Sequence, residues 1–200
     1  MSVRLETYDP EKHDKDRIAE LILESDPEMN RLVYGERPVE VIRELLSIPE
    51  SYFTPDYTKL AMLNDTLAGV VVYYPASERQ AVDKRAGQGL MKAMGLFKFL
   101  RKLPLYNKMD GMLGGEIEDD GLYIHTLAVN GDLRGKGIGS EIIRALSQEN
   151  EKMYAYVNAA NDRAIRFYEK NGFEEASYGE MRHKGKEYGE YLMERRGPPS

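Results

Sequence analysis

The chain has 200 residues, of which 42% are hydrophobic, 31% are charged and none is cysteine. This composition fits one large domain with a buried core over residues 1–200, and it excludes disulfides, a thiolate metal site and a cysteine nucleophile. The net charge of -6 argues against general nucleic-acid binding, and no apolar stretch suits a signal peptide or a membrane span, so we expect a cytoplasmic protein.

The N-terminal part of the chain predicts one strand and two helices. Val3–Tyr8 alternates apolar and polar residues, which is typical of a strand. Two segments, 16–24 and 38–48, carry apolar residues at helical spacing. Asp26-Pro27 should end the first helix, and Pro38 should open the second, because the first turn of a helix does not need the missing N–H. The predicted buried residues are Ile18, Leu21, Ile22, Ile42, Leu45 and Leu46.

A hairpin and a basic segment follow. The apolar runs Leu60–Leu63 and Leu67–Tyr74 flank Asn64-Asp65-Thr66, which predicts a β-hairpin. Residues 75–110 hold eight Lys/Arg and three acidic residues, a net charge of +5, before an acidic run at Glu116–Asp120. We expect one or two helices there, inserted between strands. Four apolar residues at helical spacing should form their packed stripe: Leu90, Met94, Phe97 and Leu100.

The central stretch predicts a strand, a glycine-rich basic loop and a helix. Leu122–Val129 is apolar, and the loop Arg134–Gly139 contains three glycines and two cations. Three apolar residues at i, i+4 and i+8 then predict a helix: Ile138, Ile142 and Leu146. Such an arrangement surrounds an anion with free N–H groups and the positive end of a helix dipole. We interpret it as a pyrophosphate site, with a solvated basic turn as the alternative.

The C-terminal part predicts a strand, a helix and a final hairpin. Met153–Val157 is a short apolar run, and Asn161–Asn171 places Ala164, Ile165 and Tyr168 on one helical side. Asn171-Gly172 is typical of a left-handed helix stop. The segments 173–178 and 188–194 should pair as a hairpin, and residues 196–200 should form a loose tail.

The glycine loop departs from two common phosphate motifs. A P-loop needs four residues between its first Gly and Gly-Lys, whereas Gly131 and Gly135 enclose three, and Lys136 precedes Gly137 where Ser or Thr should stand. The dinucleotide fingerprint G-x-G-x-x-G fails too, because Ser140 occupies the third glycine position. A plain nucleotide-binding regulator is therefore disfavoured.

Two segments in order carry a family resemblance. Arg134-Gly-Lys-Gly137-Ile-Gly139 fits R-x-x-G-x-G, and Asn161-Asp-Arg-Ala-Ile-Arg-Phe-Tyr168-Glu-Lys-Asn-Gly172-Phe173 follows downstream. Together they resemble the acyl-coenzyme A site of the GNAT superfamily of N-acetyltransferases, over about residues 122–176. The resemblance implies an α/β (α+β) fold with a mixed, mostly antiparallel seven-stranded sheet flanked by helices. The segment 75–121 would be a helical insertion, as in puromycin N-acetyltransferase-like members.

The resemblance also implies acetyl-CoA as co-substrate, with no metal. The backbone of Leu127–Val129 would hydrogen-bond the pantetheine arm as if it were another strand. The N–H groups from Arg134 to Ser140 would hold the pyrophosphate, and Asn161 would contact the cofactor or serve only as a helix N-cap. The full set of implied cofactor-binding residues is Leu127, Ala128, Val129, Arg134, Gly135, Lys136, Gly137, Ile138, Gly139, Ser140, Asn161 and Tyr168.

Proton transfer has several candidate residues. By the resemblance, Tyr168 would protonate the departing thiolate; a ring packed on the sheet is the alternative. Strand alternation places Tyr123, His125, Leu127 and Val129 on one face. His125 is a candidate base because histidine titrates near neutral pH. Tyr123 is a candidate catalytic residue on the same face. The alternative for His125 is a histidine buried in the core. Three acids in the preceding run are further candidate bases, or form a solvated turn: Glu116, Asp119 and Asp120.

The expected function is acetyl transfer from acetyl-CoA to a primary amine of a small molecule, by direct attack in a ternary complex. The insert would cover the acceptor side of the cleft; a dimer surface or a helical pair filling a sheet face is the alternative. Protein lysine or N-terminal acetylation and non-catalytic acyl-CoA binding are the other functions. We expect no nucleic-acid or membrane partner, and the resemblance allows a homodimer.

Overall fold

The computed structural model describes residues 3–197, in which a seven-stranded sheet carries helices on both faces. The strands are β1 (Arg4–Thr7), β2 (Thr58–Leu63), β3 (Thr66–Pro75), β4 (Leu122–Val129), β5 (Lys152–Asn158), β6 (Glu174–His183) and β7 (Lys186–Arg196). The helices are α1 (Lys15–Ser25), α2 (Pro27–Tyr34), α3 (Pro38–Leu45), α4 (Arg79–Met94), α5 (Leu96–Met112), α6 (Ile138–Leu146) and α7 (Asp162–Lys170). None of these helices is both long and apolar enough to cross a bilayer.

The sheet order is β1-β2-β3-β4-β5-β7-β6. Neighbouring strands run antiparallel except β4 and β5, which are parallel. The predicted mixed, mostly antiparallel seven-stranded sheet is therefore confirmed. The β2–β3 hairpin turns at Asn64 (φ 48°) and Asp65 (φ 59°), the left-handed conformation that a two-residue hairpin loop requires.

The sheet separates two apolar cores. On one face, α6 and α7 bury the predicted residues Ile138, Ile142, Leu146 and Tyr168. On the other face, α1 and α3 bury all six residues predicted for the N-terminal helices: Ile18, Leu21, Ile22, Ile42, Leu45 and Leu46. Beside this second core lies a group that we call the tyrosine cluster: Tyr52, Tyr57, Tyr74, Tyr123, Tyr154 and Tyr156.

A β-bulge interrupts β4. Val72 and Tyr73 are consecutive on β3, but they pair with Thr126 and Ile124, so His125 is an extra residue without a partner on β3. An extra residue of this kind reverses the side to which the following side chains point.

The bulge gives β4 two different faces. Before it, Tyr123 packs in the tyrosine cluster, whereas after it Leu127 and Val129 pack on the α6/α7 core. The prediction that Tyr123, His125, Leu127 and Val129 share one face is therefore wrong, because strict alternation does not survive an inserted residue.

Beyond the bulge, β4 and β5 separate. Their parallel pairing covers only Leu122 with Met153 to Ile124 with Ala155, yet β4 continues to Val129 and β5 to Asn158. A gap therefore opens between the C-terminal halves of the two strands, and β4 has a free edge there.

The segment between β3 and β4 forms two helices, α4 and α5, as expected. Its apolar stripe is only half buried: Leu90 and Met94 pack inward, but Phe97 is 80% exposed and Leu100 is 50% exposed. The prediction of one packed stripe is wrong because Gly95 (φ 84°) ends α4, so the four residues do not share a helix.

Two further details correct the expected boundaries. Asp26 ends α1 as expected, but it also caps the unpredicted helix α2 by accepting the Met29 N–H at 3.0 Å. Arg196 belongs to β7 rather than to a loose tail, and Gly197 donates to the Glu151 carbonyl at 2.6 Å. The rest of the predicted tail, residues 198–200, lies outside the described residues.

Candidate active site

The loop between β4 and α6 presents backbone donors to open space. Gly135 (φ 80°) and Gly137 (φ 83°) adopt left-handed conformations, and a Cβ at either position would meet no atom within 4 Å. None of the described loop hydrogen bonds uses the N–H groups of residues 135–137. The first turn of α6, from Ile138, adds further N–H groups without intrahelical partners. This geometry fits an anion.

Gly139 has a different role from the other two glycines. A Cβ there would lie 2.8 Å from the Phe167 ring, so the missing side chain lets α6 approach α7 closely. Ile138 is buried in the α6/α7 core, which leaves only its backbone to face the loop. Gly139 and Ile138 therefore determine how α6 packs at the site, and neither contributes a side chain to its lining.

The two loop cations differ in their surroundings. Arg134 Nε donates to the Val129 carbonyl at 2.9 Å, and Arg134 also pairs with Glu24 at 3.1 Å. The guanidinium thus ties the loop to β4 and α1. Lys136 is exposed and forms no ion pair within residues 3–197, so its ammonium remains available to an anion.

Tyr168 and Asn161 both have structural contacts. The Tyr168 ring packs edge-on against Phe167 and Phe173, with centroids 5.1 and 5.0 Å away, and is 8% exposed. Burial raises the pKa of the Tyr168 hydroxyl well above its usual value, so it keeps its proton at neutral pH. Asn161 Oδ1 accepts the Ala164 N–H at 3.1 Å and caps α7.

His125 lies among aromatic rings on the tyrosine-cluster face. It stacks on Tyr52 with centroids 4.1 Å apart, and its Nδ1 lies 2.9 Å from Thr126 Oγ1. Burial, assisted by the positive charge of Arg79, lowers the pKa of His125 to about 4. The imidazole is therefore neutral at pH 7, which makes it a weak base.

This pKa predicts acid sensitivity. The pKa of a histidine in an unfolded chain is about 6.5. Between pH 6.5 and pH 4 the unfolded chain therefore binds a proton at position 125 that the folded chain does not bind. The free energy of unfolding should fall as the pH drops through this range. We expect a loss of about 3 kcal/mol at most from this residue. Denaturant unfolding at pH 7 and pH 4.5 should show a smaller loss for His125→Phe than for wild type. The partly exposed His183→Phe, at the end of β6, serves as control, and equal losses in all three proteins would contradict the assignment.

Helix α4 adds charged groups to the tyrosine-cluster face. The Arg79 guanidinium lies 5.5 Å from the Tyr123 ring and 5.4 Å from the Tyr156 ring. Asp83 accepts the Tyr52 hydroxyl at 3.0 Å. Sequence reasoning missed both residues, because they stand in a helix whose charges looked like a solvated surface.

The acidic run before β4 lies elsewhere. Lys152, at the start of β5, pairs with Glu118 and Asp120, so the run lies at the N-terminal end of the two strands, opposite the gap. Glu116, Asp119 and Asp120 are therefore not brought to the open ends of β4 and β5. A surface cavity bordered by Tyr8 and His13 lies at the β1 edge, three strands from β4.

Comparisons agree on one family. A model of the family described as acetyltransferase (GNAT) family matches residues 17–173, while no curated protein matches the chain. An N-acetyltransferase from Staphylococcus aureus is 20% identical with a TM-score of 0.65, over 94% of this chain and 99% of that one. A structure described as histone acetyltransferase HPA2 and related acetyltransferase, from Corynebacterium glutamicum, is 18% identical with a TM-score of 0.62, over 100% and 99%. A GNAT family acetyltransferase from Elizabethkingia anophelis with acetyl-CoA bound is 14% identical with a TM-score of 0.52, over 97% of each chain. At these identities the three structures indicate a shared fold.

Proposed function

We propose that this chain, which belongs to the acetyltransferase (GNAT) family, transfers acetyl from acetyl-CoA to a primary amine of a small molecule. The observation that carries the proposal is the gap between β4 and β5. The loop of free N–H groups lies at the C-terminal end of β4, and the tyrosine cluster lies on the opposite face of the sheet, so this gap is where two substrates could meet.

The residues around the gap fit acetyl-CoA. The free edge of β4 after His125 can pair with the amides of the pantetheine arm as if with a strand. The open space at Gly135 and Gly137, with Lys136 beside it, suits the pyrophosphate. Bound acetyl-CoA would supply the thioester that the amine attacks.

The chain's own residues support direct attack in a ternary complex. With no cysteine in the sequence, no cysteine acyl-enzyme can form. Tyr168 packs on the α6/α7 core, as do Leu127 and Val129 of the free β4 edge, and holds its proton at neutral pH. We therefore assign Tyr168 as the acid that protonates the leaving thiolate.

Thiol release tests the function. The panel contains polyamines, aminoglycosides, arylalkylamines and a lysine peptide, with acetyl-CoA as donor. Thermal shift with acetyl-CoA, CoA, ATP and NAD runs in parallel and should respond to the two CoA compounds only. Tight acetyl-CoA binding without thiol release on any amine would refute catalysis and leave a non-catalytic binding module.

Acetylation of a protein lysine or N-terminus is the second candidate. It needs an open acceptor groove, whereas α4 places Arg79 over the tyrosine rings on the acceptor face. This cover favours a small amine. Faster thiol release with the lysine peptide than with any small amine would reverse the order of the two candidates.

A further inference from the structure

Glu190 is a buried acid without a partner. It lies on β7 with 7% of its surface exposed, and no hydrogen bond or ion pair holds its carboxyl within the described chain. Sheet register pairs it with Asn158, the last residue of β5, where the β4–β5 gap is open. Burying an unpaired carboxyl group costs stability, which makes Glu190 a candidate for a functional role.

Alternation along the strands places Glu190 on the acceptor face. Leu192 lies two positions after Glu190 on β7, so the two side chains point to the same face of the sheet. Leu192 pairs with Tyr156 of β5, and both pack in the tyrosine cluster, so Glu190 lies on that face too. Burial raises the pKa of Tyr123 and of Tyr156, and the negative charge of Glu190 on this face adds a smaller rise.

The other groups around Glu190 are already engaged. Asp26 accepts the Asn158 side-chain amide at 3.0 Å and the Met29 N–H at 3.0 Å. Arg79 lies over the rings of Tyr123 and Tyr156, and it pairs with Asp83 at 3.8 Å. On β6, the residue opposite Glu190 is Gly179, which brings no side chain. Glu190 is therefore the carboxyl of this group that has no partner, and such a carboxyl suits a cation.

We propose that the Glu190 carboxyl binds the ammonium group of the acceptor amine and takes its proton before attack. The inference rests on the proposed function. In this step one N–H bond breaks, the electron pair stays on nitrogen, and an O–H bond forms on Glu190. The neutral amine is then a nucleophile, and the proton passes to solvent before the next turnover. The negative charge of Asp26 would add attraction for the cation.

The pKa values of Glu190 and His125 differ, so the pH dependence of the reaction can show which of the two is the base. Burial, with the negative charge of Asp26, raises the pKa of Glu190 to about 8, whereas that of His125 is lowered to about 4. A base is most effective when its pKa lies near the working pH. If Glu190 acts, kcat/KM should rise with pH through about 8; if His125 acts, kcat/KM should be flat across this range.

Glu190→Gln tests the assignment with the amine that releases thiol fastest in the panel. We expect kcat/KM at pH 8 to fall at least about 100-fold and the rise near pH 8 to disappear. Calorimetry without acetyl-CoA should show weaker amine binding, and acetyl-CoA affinity should stay within about twofold of wild type. Glu194→Gln is the matched control, because Glu194 lies on the same face of β7 but is hydrogen-bonded to Tyr154 at 3.1 Å. It should keep the wild-type profile.

Thermal unfolding adds a readout independent of turnover. A raised carboxyl pKa contributes stability that is full below the unfolded value of 4.5 and is lost as the pH rises through about 8. The melting temperature of Glu190→Gln should therefore exceed that of wild type above pH 8, with a difference that shrinks towards pH 5.

The outcomes are distinguishable. Wild-type kcat/KM and pH profile in Glu190→Gln would overturn the assignment while leaving the acetyltransferase intact. A flat wild-type profile near pH 8, together with a loss of kcat/KM in His125→Gln and not in Glu190→Gln, would move the role to His125. If no amine of the panel binds or is acetylated, the proposed function fails and this inference fails with it.

Discussion

Gly137→Val should raise the Kd for acetyl-CoA at least about 100-fold, which corresponds to the loss of one or two charge-assisted hydrogen bonds. Gly137 has a φ of 83° and no neighbour within 4 Å, in the space that we assign to the pyrophosphate. A branched side chain there would occupy that space and would turn the N–H groups away, since valine avoids left-handed φ. Calorimetry with acetyl-CoA measures the effect.

Gly185→Val separates this effect from backbone strain. Gly185 has a φ of 82° and likewise no neighbour within 4 Å, but it lies in the turn between β6 and β7. Both variants should therefore lose similar stability, on the order of 1–2 kcal/mol. Only Gly137→Val should lose acetyl-CoA binding, and wild-type affinity in this variant would refute the loop assignment.

Tyr168→Phe should lower kcat by about 100-fold, because a positioned acid contributes at least that much to a proton transfer. The phenyl ring keeps the contacts with Phe167 and Phe173, so the fold and the Kd for acetyl-CoA should change little. Steady-state thiol release with the best amine, together with calorimetry, measures the two quantities separately.

Tyr73→Phe is the matched control for the lost hydroxyl. Tyr73 packs on the same α6/α7 core from β3, and burial also raises its pKa. It should keep wild-type turnover. If Tyr168→Phe also keeps wild-type kcat, Tyr168 is a packing residue, and the thiolate takes its proton from solvent or from another group.

The elements that determine the cofactor half of the site could be predicted from local pattern. The strand at Leu122–Val129 and the helix at Ile138–Leu146 have the predicted bounds. Their apolar residues recur at strand or helix spacing, and such residues are buried in the core whatever the arrangement of the other strands. The left-handed Gly172 after α7 (φ 82°) has its predicted conformation as well, since only glycine adopts it readily.

The acceptor half could not be predicted in this way. Glu190 reaches the face of Tyr156 through the register of β7, and Arg79 reaches the Tyr123 and Tyr156 rings through the packing of α4, over separations of more than 30 residues. The bulge at His125 likewise comes from pairing with β3, and nothing in the alternation of β4 itself marks it. One local sign existed, since Glu190 stands between Tyr188 and Leu192 on one strand face, where a charge is unexpected.

In the function that we propose, the inserted residue in β4 would let one strand serve two substrates independently. Side chains before it would contribute to the amine site, while the strand after it would offer mainly its backbone edge to the cofactor. Substitutions at position 123 can therefore alter which amine fits without disturbing the edge at residues 127–129. By this reasoning, acceptor choice is an adjustable property of the protein, and donor choice is fixed by the backbone.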